Sequence, residues 1–393
     1  MDDIFTFLTT FAMILVFAKL FGEISVRLGQ SAILGELFAG IIIGPSVLGL
    51  IGDTAAFSNL SELGAIILLF EVGLSTDIKE FAKAGGWACA VAFIGVILPY
   101  LAGYFVFIYF GLSSHQAIFA GAVLTATSVG ITARVFMDLK KIETQEAKIV
   151  LGAAVIDDVI GLAILAVVLK LVAGGAVTAG AIAKVSGIAV LFLVLSIGAG
   201  LLIAPTLFRL VSKIKQEKIV FVFALAFCLF IAAFSKKAGL APIVGAFAAG
   251  LVLSTLKEKE QIKKDLKPLY VCFVPVFFVL MGTSVDISVF NPFKEANRVI
   301  LLLTLVLFAV AFIGKAASGF AVFKKGVNKL LIGASMVPRG EVGLIFAGIG
   351  LKNSVFGQKE YSALVAVIML TTLVTPFILK YLISRDDKKK LAM

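Results

Sequence analysis

The segment AKIVLGAAVIDDVIGLAILAVVLKLV, residues 147–172, decides the fold class. It is almost wholly apolar, and a helix needs about 20 such residues to cross roughly 30 Å of hydrocarbon. Its two acids, Asp157 and Asp158, follow one another about ten residues from the start, so a helix drawn through them carries both near mid-bilayer. Each charge at that depth costs on the order of 2.5–3.5 kcal/mol on insertion scales.

The rest of the chain has the same character. Of its 393 residues 61% are hydrophobic and 15% charged, with a mean hydropathy of +1.11; soluble domains use roughly 45–50% apolar residues. Water cannot be the solvent for most of this surface. The longest polar run, Lys257 to Lys267, reads as a connecting loop, so a single membrane domain is expected. The acidic start, Met1-Asp2-Asp3, lacks the basic region of a secretory signal, and the first apolar run is expected to be retained. Cys89, Cys228 and Cys272 stand singly in apolar runs, without metal-ligand spacing, and read as packing residues.

Cutting at charged and turn-forming clusters gives thirteen apolar spans. Spans 1 to 6 cover Ile4–Phe21, Ala32–Leu50, Leu60–Thr76, Ala84–Phe110, Gln116–Met137 and Ala147–Val172. Span 7, Ala179–Phe208, is a connector. Spans 8 to 13 cover Ile219–Phe234, Leu240–Leu256, Leu269–Val285, Val299–Phe323, Leu330–Leu351 and Tyr361–Ile383. Loops alternate between two sides: counting Lys148 and Lys184, near the starts of spans 6 and 7, with the loops before them, the side holding the C-terminus carries 22 of the 35 Lys and Arg and the other side 7, the rest lying in or at the ends of spans. By the positive-inside rule the C-terminus is cytoplasmic and the N-terminus outside. The net charge of +11 is thus a topology signal, and nucleic acid is not an expected partner.

Two stretches recur at nearly one offset. Span 2 reads Ala32-Ile33-Leu34-Gly35-Glu36-Leu37-Phe38-Ala39-Gly40, and span 9 reads Pro242-Ile243-Val244-Gly245-Ala246-Phe247-Ala248-Ala249-Gly250. Span 3 ends Gly73-Leu74-Ser75-Thr76-Asp77-Ile78, and span 10 ends Gly282-Thr283-Ser284-Val285-Asp286-Ile287. Helices seven apart in an alternating chain run in opposite directions. The halves should then be inverted repeats, the architecture of a transporter whose site lies near the midplane at discontinuous helices. The small residues also let helices pack closely, and the two readings do not compete.

The acid pair is the chemical centre of the sequence. Neighbouring like charges resist joint ionisation, which suits a site that holds either protons or a small hard cation. Adjacent helix positions point about 100° apart, so the two acids divide their roles. Span 11 places Lys315 within Phe312-Ile313-Gly314-Lys315-Ala316-Ala317, as counter-ion for one Asp, leaving the other to bind the transported ion. A purely structural ion pair accounts for only one of the two acids. Span 5 contains Leu124-Thr125-Ala126-Thr127-Ser128-Val129-Gly130, and span 12 contains Met336-Val337-Pro338-Arg339-Gly340-Glu341-Val342-Gly343; both invite helix breaks. Unwound peptide in a membrane must line a cavity or be buried by protein. Thr127 and Ser128 can offer oxygens to a dehydrated cation, or Thr127 can simply pack. Arg339 and Glu341 suit the free helix ends at a crossing of spans 5 and 12. Glu71 in span 3 fits a cytoplasmic funnel or a helix end equally. His115 reads as a solvated loop residue, and Arg134 with Asp138 as an ordinary pair four residues apart.

A channel needs a continuous pore, usually through a ring of subunits. An intramembrane aspartyl protease needs its two acids on different helices, whereas these are neighbours on one; no enzyme is expected, and no cofactor beyond the transported ions. Sodium-coupled symport of an organic anion stays open, with Lys315 and the paired acids against it.

Together the runs Gly35-Glu36 with Gly44-Pro45, Thr127 to Arg134, Asp157-Asp158, Gly314-Lys315 and Pro338 to Gly343 resemble the monovalent cation:proton antiporter-2 family, most closely its NapA-type sodium/proton members. The resemblance covers nearly the whole chain. It implies an all-α, NhaA/NapA-like fold and a homodimer in membrane lipid. A dimerisation domain would comprise residues 1–83 and 213–296, and a mobile core residues 84–178 and 297–383. Residues 179–212 would form a linker helix, and residues 384–393 a cytoplasmic tail. The core would move like an elevator. By position Asp158 resembles the main Na+-binding carboxylate, and Asp157 the proton-carrying acid paired with Lys315, which implies electrogenic exchange of two protons for one sodium. Li+ is a further expected substrate. Potassium-efflux relatives carry a nucleotide-binding domain after the membrane region, and K+/H+ exchange is the alternative.

Overall fold

A computed structural model describes residues 2–28, 32–51, 55–172, 179–283 and 295–391. They form fifteen α-helices: α1 (Asp2–Arg27), α2 (Ala32–Ile43), α3 (Ala55–Leu74), α4 (Ile78–Tyr109), α5 (Ser114–Thr125), α6 (Val129–Asp138), α7 (Gln145–Val172), α8 (Ala179–Val211), α9 (Ile219–Lys237), α10 (Pro242–Leu253), α11 (Lys259–Thr283), α12 (Glu295–Ala317), α13 (Lys329–Ser335), α14 (Glu341–Lys352) and α15 (Gln358–Leu391). A 3-10 turn, Ser318–Ala321, prolongs α12. Nine stretches among the described residues are long and apolar enough to cross a bilayer. Each apolar span of the sequence holds one helix, except spans 5 and 12, which hold two.

Helix α2 is shorter than its apolar run. Pro45 has no N–H to continue the helical ladder, and the chain turns back so that Leu48 N–H donates to Ile42 O at 3.0 Å and Leu50 N–H to Ile43 O at 3.0 Å. Gly49, at φ +62°, takes the left-handed position of this turn. The segment Ser284 to Ile287, four of the six residues of the span 10 copy in the second sequence match, lies outside the described residues.

Burial sorts the helices. Only 17% of the apolar window of α1, 17% of that of α8 and 22% of that of α9 is covered by protein, against 89% for the run holding α5 and α6. The first three therefore turn apolar faces outward, and the broken α5–α6 pair occupies the centre.

Glycines set the closest crossings. At Gly40 on α2 an added Cβ would lie 1.9 Å from Val279 O, and at Gly282 on α11 one would lie 2.2 Å from Leu37 O. The crossing of α10 with α3 repeats this: a Cβ on Gly250 would lie 2.3 Å from Phe70 O, and one on Gly73 would lie 2.4 Å from Phe247 O. Only a residue without a side chain permits such backbone approach. Gly282→Leu is expected to destabilise by more than the roughly 1–3 kcal/mol of ordinary overpacking, because the obstacle is backbone. Gly85→Ala, where a Cβ meets nothing within 4 Å, serves as control; melting in detergent separates the two.

One end of the bundle is clipped by polar contacts. Lys141, after α6, pairs with Asp387 of α15 at 2.6 Å. Asn328 caps α13 by accepting from Leu331 N–H at 3.0 Å and donates to Asp386 at 2.6 Å, and its own N–H donates to Glu146 of α7 at 2.9 Å. This end is the C-terminal face.

Candidate functional site

The centre is a crossing of two interrupted helices. Helix α5 stops at Thr125, and residues Ala126 and Ser128 are extended, with ψ of 138° and 102°. Opposite, α13 stops at Ser335 and α14 begins at Glu341, with Pro338 between them. Pro338 pushes its predecessor out of helical geometry, and Thr and Ser hydroxyls near the first break compete for backbone groups. The breaks satisfy each other: Ser128 N–H donates to Pro338 O at 2.7 Å, and Thr132 Oγ1 donates to Ser335 O at 2.7 Å. A Cβ at Gly340 would lie 2.7 Å from Ser128 Oγ, so the crossing depends on glycine there.

Arg339 holds the crossing from within. It is fully buried, and its Nη2 and Nε donate to Leu124 O at 2.8 and 3.2 Å, its Nη1 to Val337 O at 3.1 Å and its Nη2 also to Ala311 O at 3.3 Å. Leu124 is in the last turn of α5, where carbonyls lack intrahelical partners and carry the negative end of the helix dipole. A cation there neutralises that end. Thr372 of α15 donates a hydrogen bond to Arg339 O. Glu341 opens α14, and its side chain lies outside the described residues.

Beside the crossing, α7 presents its two acids in different directions. Asp157 is buried and faces Lys315 of α12, whose Nζ approaches the carboxylate oxygens at 3.3 and 3.4 Å. The same Nζ donates to Thr127 Oγ1 at 2.6 Å, and the Thr127 hydroxyl also hydrogen-bonds Asp157. Lys315 is wholly enclosed. The ammonium has a carboxylate and a hydroxyl as partners, which is what a buried charge requires. Ser128 Oγ, next along the break, is buried with no hydrogen-bond partner among the described residues.

Asp158 is half-buried and points elsewhere. It lines a cavity of about 10 Å³ with Val129 of α6, Leu151 and Val155 of α7, Leu69 of α3, and Ile243, Val244 and Phe247 of α10. That volume suits about one water-sized guest. The carboxylate is the charged group in an otherwise apolar wall, placed where α6 and α7 meet α3 and α10. Glu71 lies half-buried near the end of α3, under the electrostatic influence of Lys263, Glu260 and Lys267 of α11. His115 is exposed at the start of α5, away from these groups.

A family model described as sodium/hydrogen exchanger, transmembrane, matches residues 12–385. The chain belongs to the sodium/hydrogen exchanger family. It is 37% identical to the Na+/H+–K+ antiporter GerN of Bacillus cereus over 98% of either chain. It is 36% identical to the high-affinity Na+/H+ antiporter NhaS3 of Synechocystis, over 91% of this chain and 86% of the relative. Its fold is that of the sodium proton antiporter MjNhaP1 of Methanocaldococcus jannaschii: the two superpose with a TM-score of 0.67 over 97% of either chain at 17% identity. The exchanger is thus a multi-pass membrane protein.

Sequence reading of this exchanger missed one cluster. Arg134 pairs with Asp138 at 2.8 Å as its spacing suggests, but its Nη2 also lies 3.8 Å from the carboxylate of Glu36 on α2. Both Arg134 and Glu36 are buried, and the guanidinium sits 5.1 Å from the Tyr270 ring centroid of α11. An acid in the apolar run of span 2 was the available signal.

Proposed function

We infer that this chain exchanges Na+ for H+ across the cell membrane. The observation that carries the reading is the division of the acid pair: Asp157 engaged with Lys315 and Thr127, Asp158 facing a small cavity between helix groups. Asp158 binds the dehydrated cation or a proton, and the oxygens of the 127–128 break, which do not line its cavity in this structure, join it once the cation enters. Carboxylate and carbonyl oxygens suit a small hard cation. Asp157 carries the second proton and gives it up as it pairs with Lys315. Thr127 positions both partners of that pair, while Arg339 and Glu341 neutralise the broken helix ends. Glu71 lines the way in from the C-terminal face.

Transport follows an elevator path. The core of spans 4 to 6 and 11 to 13 slides against the dimerisation domain of spans 1 to 3 and 8 to 10, in a homodimer with a cytoplasmic C-terminus. The matched crossings at Gly40–Gly282 and Gly250–Gly73 support an inverted repeat within that domain. With two protons per sodium the exchange is electrogenic.

A pH-jump assay in proteoliposomes, with Na+, Li+ and K+ offered separately and with the membrane potential clamped or free, tests the reading. Na+ is expected to drive proton movement, accelerated by a potential of the right sign. Proton movement with none of the three cations would reject it. The Bacillus cereus relative is a Na+/H+–K+ antiporter, and a response to K+ alone would favour the second reading, potassium/proton exchange.

A further inference from the structure

We propose that Arg134 is the plug of a gate, formed with Glu36 and Tyr270, that closes the path between the C-terminal face and the Asp158 cavity. The inference rests on the exchange reading above. Helices α3 and α6 both line the cavity, through Leu69 and Val129. Followed towards the C-terminal face, where Lys141 meets Asp387, α3 next reaches Glu71 and α6 reaches Arg134. At this level Glu36 enters from α2 and Tyr270 from α11.

Arg134 fills the gap between them. Its Nη2 lies 3.8 Å from Glu36, its Nε 2.8 Å from Asp138, and its guanidinium 5.1 Å from the Tyr270 ring and 6.0 Å from that of Phe278. Lys19 of α1 also acts on Glu36, and Glu71 on Tyr270, so these six titratable groups from five helices make up the cluster. While the Arg134 side chain fills this gap, it blocks the way from that face to Asp158.

The contact is built to break. Glu36 Oε2 and Arg134 Nη1 are buried without a hydrogen-bond partner among the described residues, whereas a permanent Arg–carboxylate pair usually closes a two-pronged fork. Unsatisfied buried groups of this kind store free energy that a rearrangement releases. Glu36 and Tyr270 belong to the helices assigned to the dimerisation domain, and Arg134 to the core, so sliding of one past the other separates them.

The test uses the full chain in proteoliposomes, with Cys89, Cys228 and Cys272 replaced by Ala. Glu36→Cys with Arg134→Cys, joined by a short bifunctional thiosulfonate, is expected to lose exchange by about tenfold or more, since the closed state is then held. Reduction restores the rate, and the Na+-dependent thermal shift persists throughout. Exchange at the same rate before and after cross-linking overturns the proposal, whereas a wild type that moves no cation overturns the exchange reading instead. The neutral pair Glu36→Gln with Arg134→Gln removes both buried charges together, and Asp138, the other partner of Arg134, is partly exposed. It is expected to speed labelling of Val155→Cys by an impermeant maleimide from the C-terminal side about tenfold; unchanged labelling overturns the gate.

Discussion

Replacing Asp158 with Asn is expected to reduce sodium-driven proton movement in proteoliposomes to background. Asn keeps the shape of the side chain and one oxygen, but loses the charge that offsets the cost of dehydrating the cation. Leaving a buried ion without its counter-charge costs about 3–5 kcal/mol, which is roughly a hundredfold to a few thousandfold in affinity. Because Asp158 lines an almost wholly apolar cavity, no nearby carboxylate on that wall replaces it. The folded protein should melt normally, since Asn keeps the side chain's size and a hydrogen-bonding oxygen. Exchange at the wild-type rate would take Asp158 out of the mechanism.

Lys315→Ala acts on stability first. The ammonium is fully enclosed and holds both Asp157 and Thr127. Truncation leaves a buried carboxylate without its counter-charge, at a cost of about 3–5 kcal/mol, a large part of the roughly 5–15 kcal/mol that keeps a domain folded. The carboxylate can escape that penalty by staying protonated, and Asp157 then no longer cycles its proton. The variant is therefore expected to melt lower in detergent and to show altered voltage dependence of exchange. Adding Asp157→Asn removes the orphan and should recover most of the lost stability, a coupling that a double-mutant cycle measures. Wild-type melting together with unaltered voltage dependence would contradict the assigned pairing.

Much of this was legible in the residues. Apolar length located the helices, since nothing but hydrocarbon accommodates such runs. Pro338 and Gly340 marked one break because each changes backbone freedom locally. The 126–128 break was legible from Thr125, Thr127 and Ser128. Lys315 was found as the cation inside span 11. Local sequence does not encode partners far along the chain: the Lys315–Thr127 bond joins residues 188 apart, and Glu36 meets Arg134 only because α2 and α6 pack together. The shortness of α2 was missed because Leu48 and Leu50 prolong the apolar run through a turn. Hydropathy does not distinguish a turn buried in protein from a helix continued through lipid.

The central claim is that sodium and protons compete for one pair of buried acids. It is tested most directly by measuring the apparent Kd for Na+ of the purified protein as pH is lowered, with Asp158→Asn alongside. Cation affinity at a protonatable ligand falls as protons occupy it, so the account predicts a Kd that rises about tenfold or more per pH unit once the acids begin to protonate, and no saturable binding in the variant. A sodium affinity independent of pH, or one retained by Asp158→Asn, would contradict it.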